Sequence, residues 1–321
     1  MSMLAAPPSP SFDDAEFDLL TVTLTRGRRW RDRAATSAMI LSFFVAAIPL
    51  AAVMLVVVQK GQGVVRGDWF TNDIPTDIAS AALAEKFGAV ADPVVYGMQP
   101  AIIGTLFITG LASLIAIPIG ILGAVYLNEY GKRRRLASAI RFLTDVMTGV
   151  PSVVMGIFIY TVWVLHFHQR TTFAGGLALS CLMLPIVVRS TEEMLKLVPD
   201  NLREASAALG TRTWRTTLGV VLPAALPGIT SGCMLALARA AGETAPLLFT
   251  VGSISHFPGL AHLADQLGQQ NTALSTQIFS NATQPGGEPL AWGAALTLIV
   301  MVLVLTLLAR FVTARFASVR S

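Results

Sequence analysis

The chain is short of charge. Asp, Glu, Lys and Arg make up 13% of its 321 residues, against ~25% in soluble proteins. Apolar residues reach 54% and the mean hydropathy is +0.64, so composition points to a polytopic membrane protein with no room for a separate soluble domain. Only two cysteines are present, Cys181 and Cys233. Both sit in apolar runs, which excludes a disulfide framework and reads as two small buried hydrophobes. Among the 4 histidines, His166 and His168 share a short loop without carboxylates nearby and read as interfacial. No Gly-x-x-x-x-Gly-Lys-Ser/Thr segment occurs, so the chain cannot cradle ATP by that device. No Ser/His/Asp constellation and no metal-ligand spacing is visible, and catalysis by this chain is not expected. No internal repeat is detectable, which argues against transporters whose two halves echo each other.

What is present is long apolar runs. Six can cross a bilayer at ~20 residues per crossing: Ala34–Val58, Met98–Asn128, Val146–His166, Thr171–Val188, Thr216–Ala238 and Pro289–Ala309. The expected fold is an all-α membrane protein with six transmembrane helices. Its parts are a cytosolic tail at 1–33, a six-span domain at 34–312 and a cytosolic tail at 313–321. Residues 1–25 mix Pro, Ser and acidic side chains and are expected to be poorly ordered. The first run starts after a basic segment, is longer than a signal h-region and reads as a retained anchor. Two longer segments, at 59–97 and 252–288, face the opposite side; the first carries an Ala-rich helical patch at 78–87.

A net charge of +4 would suggest nucleic acid in a soluble protein. Here its placement excludes that partner. The basic residues gather at 26–33, 132–141, 196–215 and 310–320, on alternate sides of consecutive spans. By the positive-inside rule both termini and the 196–215 loop face the cytosol of a plasma or inner membrane.

That loop, at 199–215, is the most informative stretch. Asn201 and Glu204 have the spacing of a capping box, predicting a helix start there. The residues that follow favour a helix, and Gly210 can adopt the left-handed conformation that ends it. Arg203, Glu204, Ala205, Ala208 and Gly210, followed by Leu222-Pro223, resemble the "EAA" loop of ABC importer permeases. In that family the loop forms a cytosolic helix that docks on a separate ATPase. The resemblance implies a type I ABC importer permease fold, with ATP and magnesium on the partner chain and no cofactor in this one.

Three further runs resemble the PstA-type phosphate importer permeases: Ala238–Phe249, Val150–Gly156 and Ile117–Tyr130. The likeness covers about residues 98–312, and PstC-type subunits are close in the same runs. It implies inorganic phosphate as substrate. The implied partners are a PstC-type permease, two PstB-type ATPases, a PstS-type binding protein outside the membrane, and lipid. Intramembrane charges default to function because they are costly there. Arg239 and Glu243, four apart on one helix face, are therefore candidates for the substrate path. An Arg fork suits an oxyanion, and the bland alternative is a snorkelling interfacial anchor. Gly242 and Pro246 are expected to break the helix. Arg189 is a second path candidate, and equally reads as a positive-inside anchor. Gly228-x-x-x-Gly232 permits close helix approach, and Asn281-Ala-Thr283 fits a chance glycosylation sequon. The rival functions are permeases for sulfate, molybdate or phosphonate, an ATP-independent channel, or a membrane enzyme. A channel needs no coupling loop, so deleting 201–210 would leave its flux intact.

Overall fold

The computed structural model describes residues 26–87, 95–131, 134–259 and 265–318. The segment at 1–25 lies outside them. Among the described residues all regular structure is helical. In chain order the helices are α1 (Arg26–Gly61), α2 (Ile78–Lys86), α3 (Gln99–Val125), α4 (Arg135–Gly149), α5 (Ser152–Ile159) and α6 (Thr172–Lys196). They continue with α7 (Asp200–Ala208), α8 (Thr213–Thr216), α9 (Leu222–Ala241), α10 (Ala245–Thr250), α11 (Leu274–Thr283) and α12 (Glu288–Ser318). Three π-turns extend them: Tyr126–Tyr130 after α3, Tyr160–Val164 after α5 and Thr217–Val221 before α9.

The chain divides into two compact units, Met1–Val56 and Val57–Ser321. The first is, in its described part, most of α1, an apolar helix with Pro49 inside it. The second contains the packed core.

Among the described residues five helices are long and apolar enough to cross a membrane: Gly27–Gly61, Gln99–Tyr130, Thr172–Lys196, Thr213–Ala241 and Glu288–Leu308. They coincide with five of the six expected runs and outlast them at the polar ends, because a helix does not stop where hydrocarbon does. The remaining run, Val146–His166, is not one straight helix. Arg135–Gly149 and Ser152–Phe167 meet at a 107° bend, and the pair counts as a sixth crossing only if taken together. The cause is local. Pro151 has no N–H to donate, and its ring forces the preceding Val150 out of the helical region, to φ −75° and ψ 130°. The part after the bend is apolar, whereas the part before it carries Arg135, Arg141 and Asp145.

The main core joins α3, α6 and α9. Ala112, Ala116 and Ala124 on α3 meet Leu179, Met183 and Val187 on α6, which also packs on Ala225, Ile229, Cys233 and Ala236 of α9. In lipid no hydrophobic force drives helices together, so small side chains that allow close van der Waals contact dominate such seams. The Gly228/Gly232 pair serves this end. A methyl group on Gly232 would run into the Cβ and hydroxyl of Ser190 on α6. A second cluster sits around fully buried Trp69, packed with Met98, Ala101, Leu274 and Leu290. Its indole N–H donates to the Thr297 hydroxyl at 2.9 Å. Asn281 is buried and bonded to Gln277, so the sequon has no accessible acceptor.

Gly232→Ala is expected to destabilise the detergent-solubilised protein by about 1–3 kcal/mol through overpacking. Gly110→Ala on α3, where a methyl group would touch nothing, is expected to leave the thermal midpoint unchanged or slightly raised. A thermal melt of both variants checks this; equal midpoints would contradict the close α6–α9 approach.

Candidate functional site

The loop between α6 and α9 folds into a short helix, a reversal and a return. With Asn201 as cap the first helical residue would be Leu202; helix α7 instead begins at Asp200, two residues earlier. Pro199, at φ −59° and ψ 140°, occupies the cap position, and no side chain caps it. The proline sets the extended entry itself, so Asn201 is left exposed within the first turn. The end is as expected. Gly210 has φ +74°, and its N–H donates to the Ala207 carbonyl at 2.9 Å. A triangle of hydroxyls then fixes the reversal. Ser206 lies 2.6 Å from Thr211 and 2.8 Å from Thr216, and these two are 3.0 Å apart. Sequence reasoning missed this triangle, although three Ser/Thr residues flanking a left-handed glycine are a recognisable turn chemistry.

Glu204, Ala205, Ala208 and Gly210 all face outward on this projection, beside exposed Leu202, Leu209 and Trp214. Arg203 does not. Its side chain is 16% exposed and turns back into the protein. One terminal nitrogen donates to the Val198 carbonyl at 2.7 Å and to Asp200 Oδ1 at 3.0 Å. The other donates to the Leu195 carbonyl at 2.9 Å and to Glu129 Oε1 at 3.1 Å. Glu129 is 7% exposed and also accepts from Asn128 Nδ2 at 2.8 Å. Nearby, Glu192 is 2% exposed and accepts from Arg141 Nε and Lys196 Nζ, each at 2.9 Å. Glu129 was part of a recognised run but carried no assigned role; its partner is 74 residues away, beyond the reach of local pattern.

The expected break after α9 is present: the helix ends at Ala241, Gly242 follows, and Pro246 lies in the first turn of α10. Arg239 Nε lies 3.6 Å from Glu243 Oε1, with side chains 66% and 17% exposed. The pair is therefore loose and open on the Arg side. Behind it, the Ser275 hydroxyl donates to the Glu243 carbonyl at 2.9 Å, tying the break to the start of α11. Arg189 is elsewhere. It reaches Asp145 on α4 at 3.3 Å and Glu193 at 3.2 Å. A groove of about 750 Å³ between α6, α9 and α12 is lined by Ser190, Glu193, Ser231, Gly232, Ala238 and Arg310, among others. It runs past the positions next to Arg189 and Arg239 in sequence, but the two arginines are not joined in one ion-pair network.

Gly210→Ala is expected to cost about 1–2 kcal/mol, since a Cβ is disfavoured in the left-handed region. Gly210→Asn is expected to cost less, because Asn tolerates that region. Thermal melts and amide exchange at 207–212 check the order; Ala equal to Asn would contradict the cap.

The model of the family described as binding-protein-dependent transport system inner membrane component matches residues 116–318. The phosphate transport system permease protein PstA 1 of Mycobacterium tuberculosis (strain ATCC 25618 / H37Rv) is 41% identical over 301 residues, covering 92% of this chain and 91% of that relative. The phosphate transport system permease protein PstA of Yersinia pestis is 42% identical over 221 residues, 68% of this chain and 73% of its own length. Among solved structures, an inward-facing form of the MetNI methionine ABC transporter aligns with a TM-score of 0.54 at 17% identity, covering 67% of this chain and 94% of its own. A bacterial ABC transporter involved in the import of the acidic polysaccharide alginate gives 0.55 at 17% identity, over 90% and 99%. These two show the fold.

Proposed function

Because this chain belongs to the PstA-type permeases within the binding-protein-dependent transport system inner membrane components, we propose that it is the membrane subunit of an ATP-driven importer of inorganic phosphate. The observation that carries this reading is the near-full-length likeness to relatives named for phosphate transport, joined to a projecting α7 with Glu204, Ala205, Ala208 and Gly210 exposed. An exposed, projecting helix favours docking over a channel, which has no use for a rigid helix beyond the bilayer.

In this reading the chain is not an enzyme and carries no cofactor. ATP and magnesium belong to two copies of a PstB-type ATPase in the cytosol, where both termini also lie. A homologous PstC-type permease pairs with this chain across the path. A PstS-type protein delivers phosphate from outside. Closure of the ATPases draws the coupling helices together and turns the path from inward-facing to outward-facing.

Arg239 is the residue placed on the path. Its guanidinium cannot lose its charge and presents several donors to a tetrahedral oxyanion. Glu243, 3.6 Å away, holds it loosely while no anion is present and competes with phosphate for it. That exchange allows passage: an Arg that bound phosphate with no competitor would retain it. Arg189, already engaged with Asp145 and Glu193, serves as a secondary candidate.

Radiolabelled phosphate uptake by the assembled transporter tests these roles. Arg239→Gln is expected to lose uptake by about 10²-fold while still binding the ATPase, by analogy with the loss of one positioned ionic donor. Glu204→Ala is expected to lose ATPase binding itself. Full uptake in Arg239→Gln would return that residue to interfacial anchoring, and retained ATPase binding in Glu204→Ala would remove it from the docking surface.

A further inference from the structure

A helix docked on a motor transmits displacement only if it cannot slide on the body that carries it. Helix α7 is fastened to that body through the Ser206–Thr216 hydroxyl contact and, toward α6 and α3, through Arg203. Its two terminal nitrogens reach four oxygens: the Leu195 carbonyl at the end of α6, the Val198 carbonyl in the connector, Asp200 on α7 and Glu129 on the π-turn after α3. A planar, permanently charged fork holds such a set in one orientation, which a flexible ammonium does not. The Glu129 carboxylate is buried with it, so neither charge can leave without stranding the other.

The π-turn is where the fastenings converge. Leu127 and Glu129 both lie in Tyr126–Tyr130. The Leu127 carbonyl accepts from Arg141 of α4 at 2.9 Å, and Glu129 accepts from Arg203. Arg141 in turn holds buried Glu192 of α6 at 2.9 Å. Within a π-turn the backbone ladder shifts register, which frees a carbonyl for an outside donor, and such turns gather at functional places. One five-residue turn thus receives an arginine from α4 and another from the α6–α7 side.

We infer that Arg203 and Glu129 form a strut that makes α7, the end of α6 and the π-turn of α3 move as one rigid piece. Displacement of the docking helix then becomes displacement of two membrane spans. Arg203 and Glu129 are positioning residues: they touch neither phosphate nor the ATPase, and act through α7. Expected on the ATPase-coupling loop, Arg203 keeps a coupling role in this reading, exercised from inside the chain by its two terminal nitrogens. The inference rests on the coupling reading of α7 given above.

The test uses the complete transporter in vesicles, with phosphate uptake and ATP hydrolysis measured on the same preparation. Wild type is compared with Arg203→Lys, Glu129→Gln and the double variant. Arg203→Lys keeps the charge, so it carries the test if Glu129→Gln fails to assemble. Each variant is expected to bind the ATPase and hydrolyse ATP, while phosphate moved per ATP falls about tenfold, within the range seen for residues that carry coupling. The double variant is expected to fall no further than the worse single one, since one interaction is lost in all three. Spin labels at Asn201→Cys and Tyr130→Cys, with Cys181 and Cys233 replaced by Ala, are expected to give one narrow distance with and without ATP, and a broad one once Glu129→Gln is added.

Unchanged phosphate per ATP in both single variants would overturn the strut. So would losses that multiply in the double variant, or loss of ATPase binding in Arg203→Lys. A wild type that takes up phosphate without ATP would instead sink the coupling reading, and would be seen before any variant is compared.

Discussion

A carboxylate leaves water at an acceptable cost only when a cation and hydrogen-bond donors go with it, and this constraint organises one end of the protein. Glu129 and Glu192 are both nearly removed from solvent. Each fixes an arginine from a different element, and those arginines also hold backbone carbonyls that the helix ends leave unsatisfied. The result is a braced assembly of α3, α4, α6 and α7 at the charged end of the bundle. Away from it, in the apolar layer, the α3–α6–α9 seam is packed mainly by shape, through its alanines and glycines.

The two kinds of contact suit different tasks. A seam of small residues tolerates sliding, because its contacts are numerous, weak and non-directional. An ionic brace with several directed hydrogen bonds does not. Placing the rigid contacts where the projecting helix leaves the bundle, and the compliant ones where spans must shift, is a sensible layout for a gate driven from one end. The loose Arg239–Glu243 pair, at the break between α9 and α10, belongs to the compliant region. Its Arg239 side stays open, and the Ser275 bond to the Glu243 carbonyl ties the break to α11.

Much of this was legible in the residues. Hydrophobic runs marked five spans because length and apolarity are properties of the chain itself. Gly210, Gly242 and Pro246 announced their turns because their backbone restrictions are local. The 107° bend at Val150–Pro151 was in plain view as a proline step, yet a hydropathy run registers composition and is blind to direction. The start of α7 was misplaced by two residues because two cap signals, Pro199 and Asn201, competed within one turn. Least legible was the inward fold of Arg203. From sequence it looked like one more charge on a docking surface, and only the arrival of Glu129 from 74 residues away shows it to be internal. Long-range ion pairs leave no periodic trace.

Passage of phosphate under the control of a separate ATPase stands at the centre of the proposed function. The most direct measurement is uptake of labelled phosphate by the wild-type assembly in vesicles, with and without internal ATP, and with sulfate and molybdate as competitors. Uptake is expected to require ATP and to resist a large excess of both competitors. Uptake that proceeds equally without ATP would make the protein a channel, and displacement of phosphate by sulfate or molybdate would assign it to another oxyanion.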